Sequence, residues 1–198
     1  AEKGPTAAEI EKQIPATWTA ALKKAGRANF DYHCGDYVST QLLVLNIGFK
    51  GTNDFTGRKV FDSLTANAVT EYGYTQVKYA GKHPLSDIVK ANGGEPVYNI
   101  VVSQTNTADA NGHTYFIHAI INNTVYWSEN SKWKSSSIPA GAVRKNTVSS
   151  MEGPVQGSSF TILGAVHFTK EGAGAKKVPF NVSAQLDGAN VSNFADIG

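Results

Sequence analysis

The sequence predicts an α+β fold in which N-terminal helices pack on an antiparallel β-sheet. Two observations carry this prediction. Apolar residues recur at helical spacing as far as the Gly93-Gly94 pair, and after Pro96 the chain turns to β-branched and aromatic runs divided by polar loops. Helices and strands do not alternate, which argues against a parallel doubly wound sheet, and no glycine-rich phosphate loop follows a strand. Nucleotide binding is therefore not expected.

Thr6 and Glu9 form a capping-box pattern ahead of Ile10 and Ile14, and Pro15 interrupts the run. Trp18, Ala21, Leu22 and Ala25 share the side of a second helical stretch that stops at Gly26. Cys34, Val38, Leu42 and Leu45 repeat at helical spacing, flanked by Tyr37 and Gln41, until Gly48. Further helices are predicted around Val60, Phe61, Leu64 and Ala68, and from Pro84 through Leu85, Ile88 and Val89. Strands follow at 97–103 and 113–121, then from Thr124, and at 158–168, with a polar loop over 104–112. Asn122-Asn123 reads as a type I′ hairpin turn, because asparagine tolerates the left-handed backbone that turn needs.

With 198 residues, 41% hydrophobic and 17% charged, the chain can bury one substantial core, so residues 1–198 are expected to form a single domain. Its core spans about 27–170, and the tail 171–198 reads as irregular. A net charge of +2 without long Lys/Arg runs gives no nucleic-acid footprint. No apolar run reaches the roughly 18 residues of a membrane span. An initial Ala1 suggests a removed signal peptide or an arbitrary boundary. Asn122, Asn181 and Asn190 head Asn-x-Ser/Thr triplets, which matter only in a eukaryotic secretory route.

The one cysteine, Cys34, excludes an internal disulfide and any site that needs two thiolates. It stands at a predicted helix N-terminus, where open backbone N–H groups and the helix dipole favour a thiolate. A buried, inert thiol fits the same position. Later residues bear on the choice. If Asn122-Asn123 is a two-residue turn, counting back along the hairpin sets His113 opposite Lys132 and diagonal to Asn130. His118 then lies opposite Trp127 and diagonal to Glu129. Each imidazole thus has a polar neighbour of the kind that orients a catalytic base. The two histidines fall on opposite faces of one strand, so only one is expected to reach Cys34, and a shared metal ion is disfavoured.

C-x-x-Y-V from Cys34 to Val38, G-H at His113 and S-E-N from Ser128 to Asn130 together resemble the papain-like peptidoglycan hydrolases. These are the CHAP and NlpC-type amidases and endopeptidases and the amidase effectors of type VI secretion. The resemblance covers roughly residues 27–130. It implies a papain-like fold, Cys34 as nucleophile, His113 as general base, and Asn130 or Glu129 holding the imidazole. The stretch from Ile117 to Trp133 is also similar to a papain pattern, which would make His118 the base. Where the NlpC-type enzymes have D-C-S-G this chain has H-C-G-D, so Asn29 or His33 is considered beside the Cys34 N–H as an oxyanion donor.

The resemblance further implies a secreted or periplasmic cysteine hydrolase that cleaves amide bonds of peptidoglycan stem peptides through an acyl-enzyme. No cofactor or metal is expected. Its partners would be peptidoglycan or a peptide substrate, and an immunity or inhibitor protein, without nucleic acid and without a membrane span. Tyr115, Trp133 and Asp36 are candidates for substrate contact. Asp36 also complements the helix dipole, while Trp18, Tyr126 and Trp127 fit the lining of a glycan or peptide groove and core packing equally well. His83 reads as a loop or cap residue, and His167 as structural. The alternatives are a papain-fold protein deamidase or protease toxin, and a non-catalytic secreted module that binds glycan or protein while Cys34 stays buried.

Overall fold

The computed structural model describes residues 2, 4–11, 34–45, 47, 73–106, 112–130, 141–153 and 160–170. The helical stretches predicted around Trp18 and Val60, the residues Asn29, His33 and Trp133, the triplets at Asn181 and Asn190, and the tail from Glu171 lie outside these residues. Among the described residues no helix is long and apolar enough to cross a membrane.

The architecture is α+β. Helix α1 (Ala7–Glu11) and helix α2 (Cys34–Val44) precede strand β1 (Thr75–Ala80) and helix α3 (Pro84–Ala91). Strands β2 (Val97–Asn106), β3 (Gly112–Ile121), β4 (Thr124–Ser128) and β5 (Arg144–Thr147) follow, then helix α4 (Val148–Glu152) and strand β6 (Phe160–Thr169). The six strands among the described residues join one antiparallel sheet in the order β1-β6-β2-β3-β4-β5. Helix α4 was not foreseen, and three strands differ from the expectation. Strand β1 was not foreseen, the polar edge strand β5 carries no apolar alternation, and β2 runs three residues into the predicted loop because Gln104, Thr105 and Asn106 pair with both β3 and β6 or with β6.

Local chemistry sets the element ends. Thr6 and Glu9 close the predicted capping box, with the Glu9 N–H donating to the Thr6 hydroxyl at 3.2 Å and the Thr6 N–H donating to the Glu9 carboxylate at 3.3 Å. Asn122 and Asn123 take φ of 49° and 65°, as a type I′ turn requires. Gly93 and Gly94 end α3 with φ of 66° and 76°, and the Gly94 N–H returns to the Val89 carbonyl at 3.0 Å. Pro84 opens α3, but its cap comes from far along the chain: Glu152 accepts from the Leu85 N–H at 2.9 Å and the Ser86 N–H at 3.2 Å. His83 sits at the N-cap position without a capping side-chain bond.

Alternation along the strands makes two cores. Ile100, Val102, Tyr115 and Ile117 pack with Leu85 and Ile88 of α3 and Val148 of α4. On the other face Tyr98, Ala119 and Tyr126 pack with Ile10 of α1, and Phe116 and Ser128 lie toward α2. The N-terminal segment is strapped to that face: the Glu2 carboxylate accepts from the Tyr98 N–H and from His167 Nε2, both at 2.9 Å, and the Tyr98 hydroxyl donates to the Pro5 carbonyl at 2.9 Å.

Candidate active site

Cys34 is the first residue of α2 and His113 the second of β3. The β3–β4 ladder ends at the Phe116–Ser128 pair, so His113 stands past the end of β4 at the open margin of the sheet. There the head of α2 meets it. The Cys34 thiol is hydrogen-bonded to the His113 ring and accepts backbone N–H groups of Thr114 and Gly35. Cys34 is buried, with 8% of the residue exposed.

His113 Nε2 lies 2.8 Å from Glu129 Oε2. A carboxylate only accepts, so Nε2 carries the proton and Nδ1 is the nitrogen left for sulfur. The other oxygen, Glu129 Oε1, pairs with the Arg144 guanidinium at 2.9 Å. Burial pushes the Cys34 thiol up, but the His113 hydrogen bond and charge, with the two backbone donors, more than offset this and leave it below the ordinary thiol value. Burial works against the His113 imidazolium too, yet hydrogen bonds and charge from Cys34 and Glu129 raise it to about 9. Burial likewise pushes Glu129 up, and His113 and Arg144 hold it net below the usual carboxylate range. The array favours a thiolate beside an imidazolium, anchored by a carboxylate.

The orienting partner differs from the pairing counted from the turn. Ala119, Ile120 and Ile121 keep the expected register with Tyr126, Val125 and Thr124, but Ile117 pairs with Trp127 and Phe116 with Ser128. A bulge at His118 has shifted the ladder by one residue. Asn99, which the β2–β3 ladder sets across from His118, has φ of 60°, so both strands are irregular at this level. Past the bulge the same counting makes Glu129, rather than Asn130, diagonal to His113. Asn130 is buried beside it, but the carboxylate that accepts the His113 Nε2–H hydrogen bond is that of Glu129.

His118 belongs to a different network. Gln41 Nε2 donates to the Tyr37 oxygen, the Tyr37 and Ser128 hydroxyls are hydrogen-bonded to each other, and Ser128 Oγ is hydrogen-bonded to His118 Nε2, each at 2.6 Å. The Ser128 bond replaces the predicted Glu129 partner and ties α2 to the sheet. Burial pushes His118 down to about 3, so it stays neutral. An unfolded histidine titrates near 6.5. With the folded value below that, the contribution to stability is whole above pH 6.5 and falls as acid is added, by about 2 kcal/mol at pH 5. The wild-type urea midpoint should therefore drop from pH 7 to pH 5 more than that of His118→Gln; parallel curves would contradict this assignment. His113 has the opposite sign: its raised value contributes stability below pH 6.5 that is lost as pH climbs through about 9.

Tyr115 does not wall a groove. It is 2% exposed in the core facing α3, with Trp127 at 5.2 Å and the His113 ring at 6.2 Å between centroids. Tyr115 and Ile117 turn to that layer, which is why Tyr115 is buried. Asp36 stands in the first turn of α2, and its side chain is outside the described residues, as is Trp133. His167 is buried on Glu2, remote in sequence and in bonding from the site. Arg144 was not foreseen: its strand is short and polar, and its link to Glu129 follows only from the β4–β5 pairing.

No protein-family model matches the chain, and neither a curated protein nor a solved structure matches it significantly.

Proposed function

We propose that this chain is a papain-like cysteine hydrolase that cleaves amide bonds of peptidoglycan stem peptides, with Cys34 as nucleophile, His113 as acid and base, and Glu129 as orienter. The single observation that carries the reading is the continuous contact from thiol to imidazole to carboxylate. A helix-head sulfur that were merely a core residue would need neither an imidazole nor a carboxylate behind it.

In the proposed reaction the Cys34 thiolate adds to the amide carbonyl carbon, and the carbonyl electron pair moves to oxygen. The Cys34 N–H at the head of α2 faces the developing oxyanion. As the intermediate collapses, the carbon–nitrogen bond breaks and His113 Nδ1–H gives its proton to the leaving amine. The product on the protein is a thioester. His113, now neutral, takes a proton from water; the hydroxide oxygen adds to the thioester, and the thiolate leaves as the carboxylic acid product forms. Glu129 keeps the ring in one tautomer throughout.

The choice of wall peptides over protein amides comes from the sequence resemblance, and a secreted or periplasmic place agrees with it. Purified sacculi incubated with the protein should release soluble peptide fragments with new amine termini, and Cys34→Ala should release none. If sacculi stay intact while a protein substrate loses amide nitrogen or is cut in a Cys34-dependent way, the chemistry stands and the wall substrate falls. If Cys34→Ala acts like wild type, the hydrolase reading fails.

A further inference from the structure

We infer that Arg144 is a positioning residue of the site: stacked on Trp127 and paired with Glu129 Oε1, it fixes the carboxylate so that Oε2 stays on the His113 ring. The inference rests on the Cys34–His113–Glu129 reading and extends it to a fourth side chain.

The β4–β5 ladder sets Arg144 directly across from Trp127, which makes Glu129, two residues on and just past the end of β4, its diagonal neighbour. The guanidinium carbon sits 5.1 Å from the centre of the Trp127 ring, and its Nη1 is 2.9 Å from Glu129 Oε1. Trp127 is itself held from two sides. Its indole N–H donates to Asn146 Oδ1 at 2.8 Å, and Tyr115 packs on it at 5.2 Å. The guanidinium therefore lies on a fixed shelf. Both carboxylate oxygens of Glu129 are engaged, one by His113 and one by Arg144. A carboxylate held at one oxygen can turn about its last bond, and one held at both cannot. The side chains of Arg144 and Glu129 are 19% and 12% exposed, so solvent screens the pair less than it would a surface bridge. Among the described residues Arg144 Nε has no hydrogen-bond partner, which leaves Glu129 and the Trp127 face as the contacts that place the group.

Loss of Arg144 should reach the sulfur through two intermediates. Glu129 becomes easier to protonate and freer to turn, the imidazolium loses support, and the thiolate forms only at higher pH. The probe is iodoacetamide. Labelling of Cys34 is followed by intact mass from pH 4 to pH 10 on wild type, Arg144→Met and Arg144→Lys. The acid limb of the labelling rate should move up by roughly 0.5 to 1 pH unit in Arg144→Met and return most of the way in Arg144→Lys, which restores the charge. If Arg144→Met does not fold, Arg144→Gln carries the same expectation, since it keeps a donor without the charge. An acid limb that stays in place while only the melting temperature drops overturns the inference and leaves the triad intact. A wild-type profile with no limb below the ordinary thiol range, or one that survives His113→Gln unchanged, overturns the triad reading and this inference with it.

Discussion

His113→Gln is expected to lower the Cys34-dependent hydrolysis rate by about 10²- to 10⁴-fold and to shift thiolate formation at Cys34 upward. Burial opposes the thiolate, and His113 supplies the largest effects that oppose burial; the N–H groups of Thr114 and Gly35 remain but are uncharged. Without the imidazolium, burial regains the upper hand. Wild-type activity should hold across a plateau that starts below the ordinary thiol range and ends near pH 9, where His113 gives up its proton. In the variant, iodoacetamide labelling should begin only at higher pH, with no plateau. A labelling curve that overlays wild type would show that the imidazole does not govern the sulfur.

The second large effect is on stability. Phe116 has no exposed surface, meets the His118 ring edge-on at 5.0 Å, and pairs with Ser128, the residue that links α2 to the sheet. Phe116→Ala should cost about 3–5 kcal/mol, the transfer of the lost ring plus a cavity that the neighbouring strands cannot close. For a chain of this length the melting temperature should fall by something on the order of 10 °C. The hole opens next to the Tyr37–Ser128–His118 bonds, so labelling of Cys34 should also lose its low-pH reactivity in the surviving folded fraction. Calorimetry that found a loss under 1 kcal/mol would place Phe116 in a region able to collapse.

How far the letters foretold this arrangement depends on the range of the interactions involved. Cys34 at a helix head, the Thr6–Glu9 box and the Asn122-Asn123 turn are local features, and each follows from a few neighbouring residues. The meeting of Cys34 with His113 needed only the hairpin and one packed helix beyond that. Which of Asn130 and Glu129 orients the ring did not follow, because the bulge at His118 leaves no sign in composition, and one residue of shift moves the place diagonal to His113 from Asn130 to Glu129. Strand β1 was missed because Gln76 and Lys78 interrupt its short apolar pattern, although Gln76 turns out fully buried. Arg144 was missed because an edge strand of Arg, Lys, Asn and Thr looks like a loop until its partner is known.

The place of β6 has a consequence for synthesis. This strand is among the last of the described elements to leave the ribosome, yet it lies between β1 and β2, and His167 on it receives the carboxylate of Glu2. Translation thus delivers the sulfur-bearing segment long before the inner strand that joins β1 to the rest of the sheet. Until β6 emerges nothing among the described residues joins β1 to β2, so the six-stranded sheet stays open even after Cys34, His113, Glu129 and Arg144 have all been made.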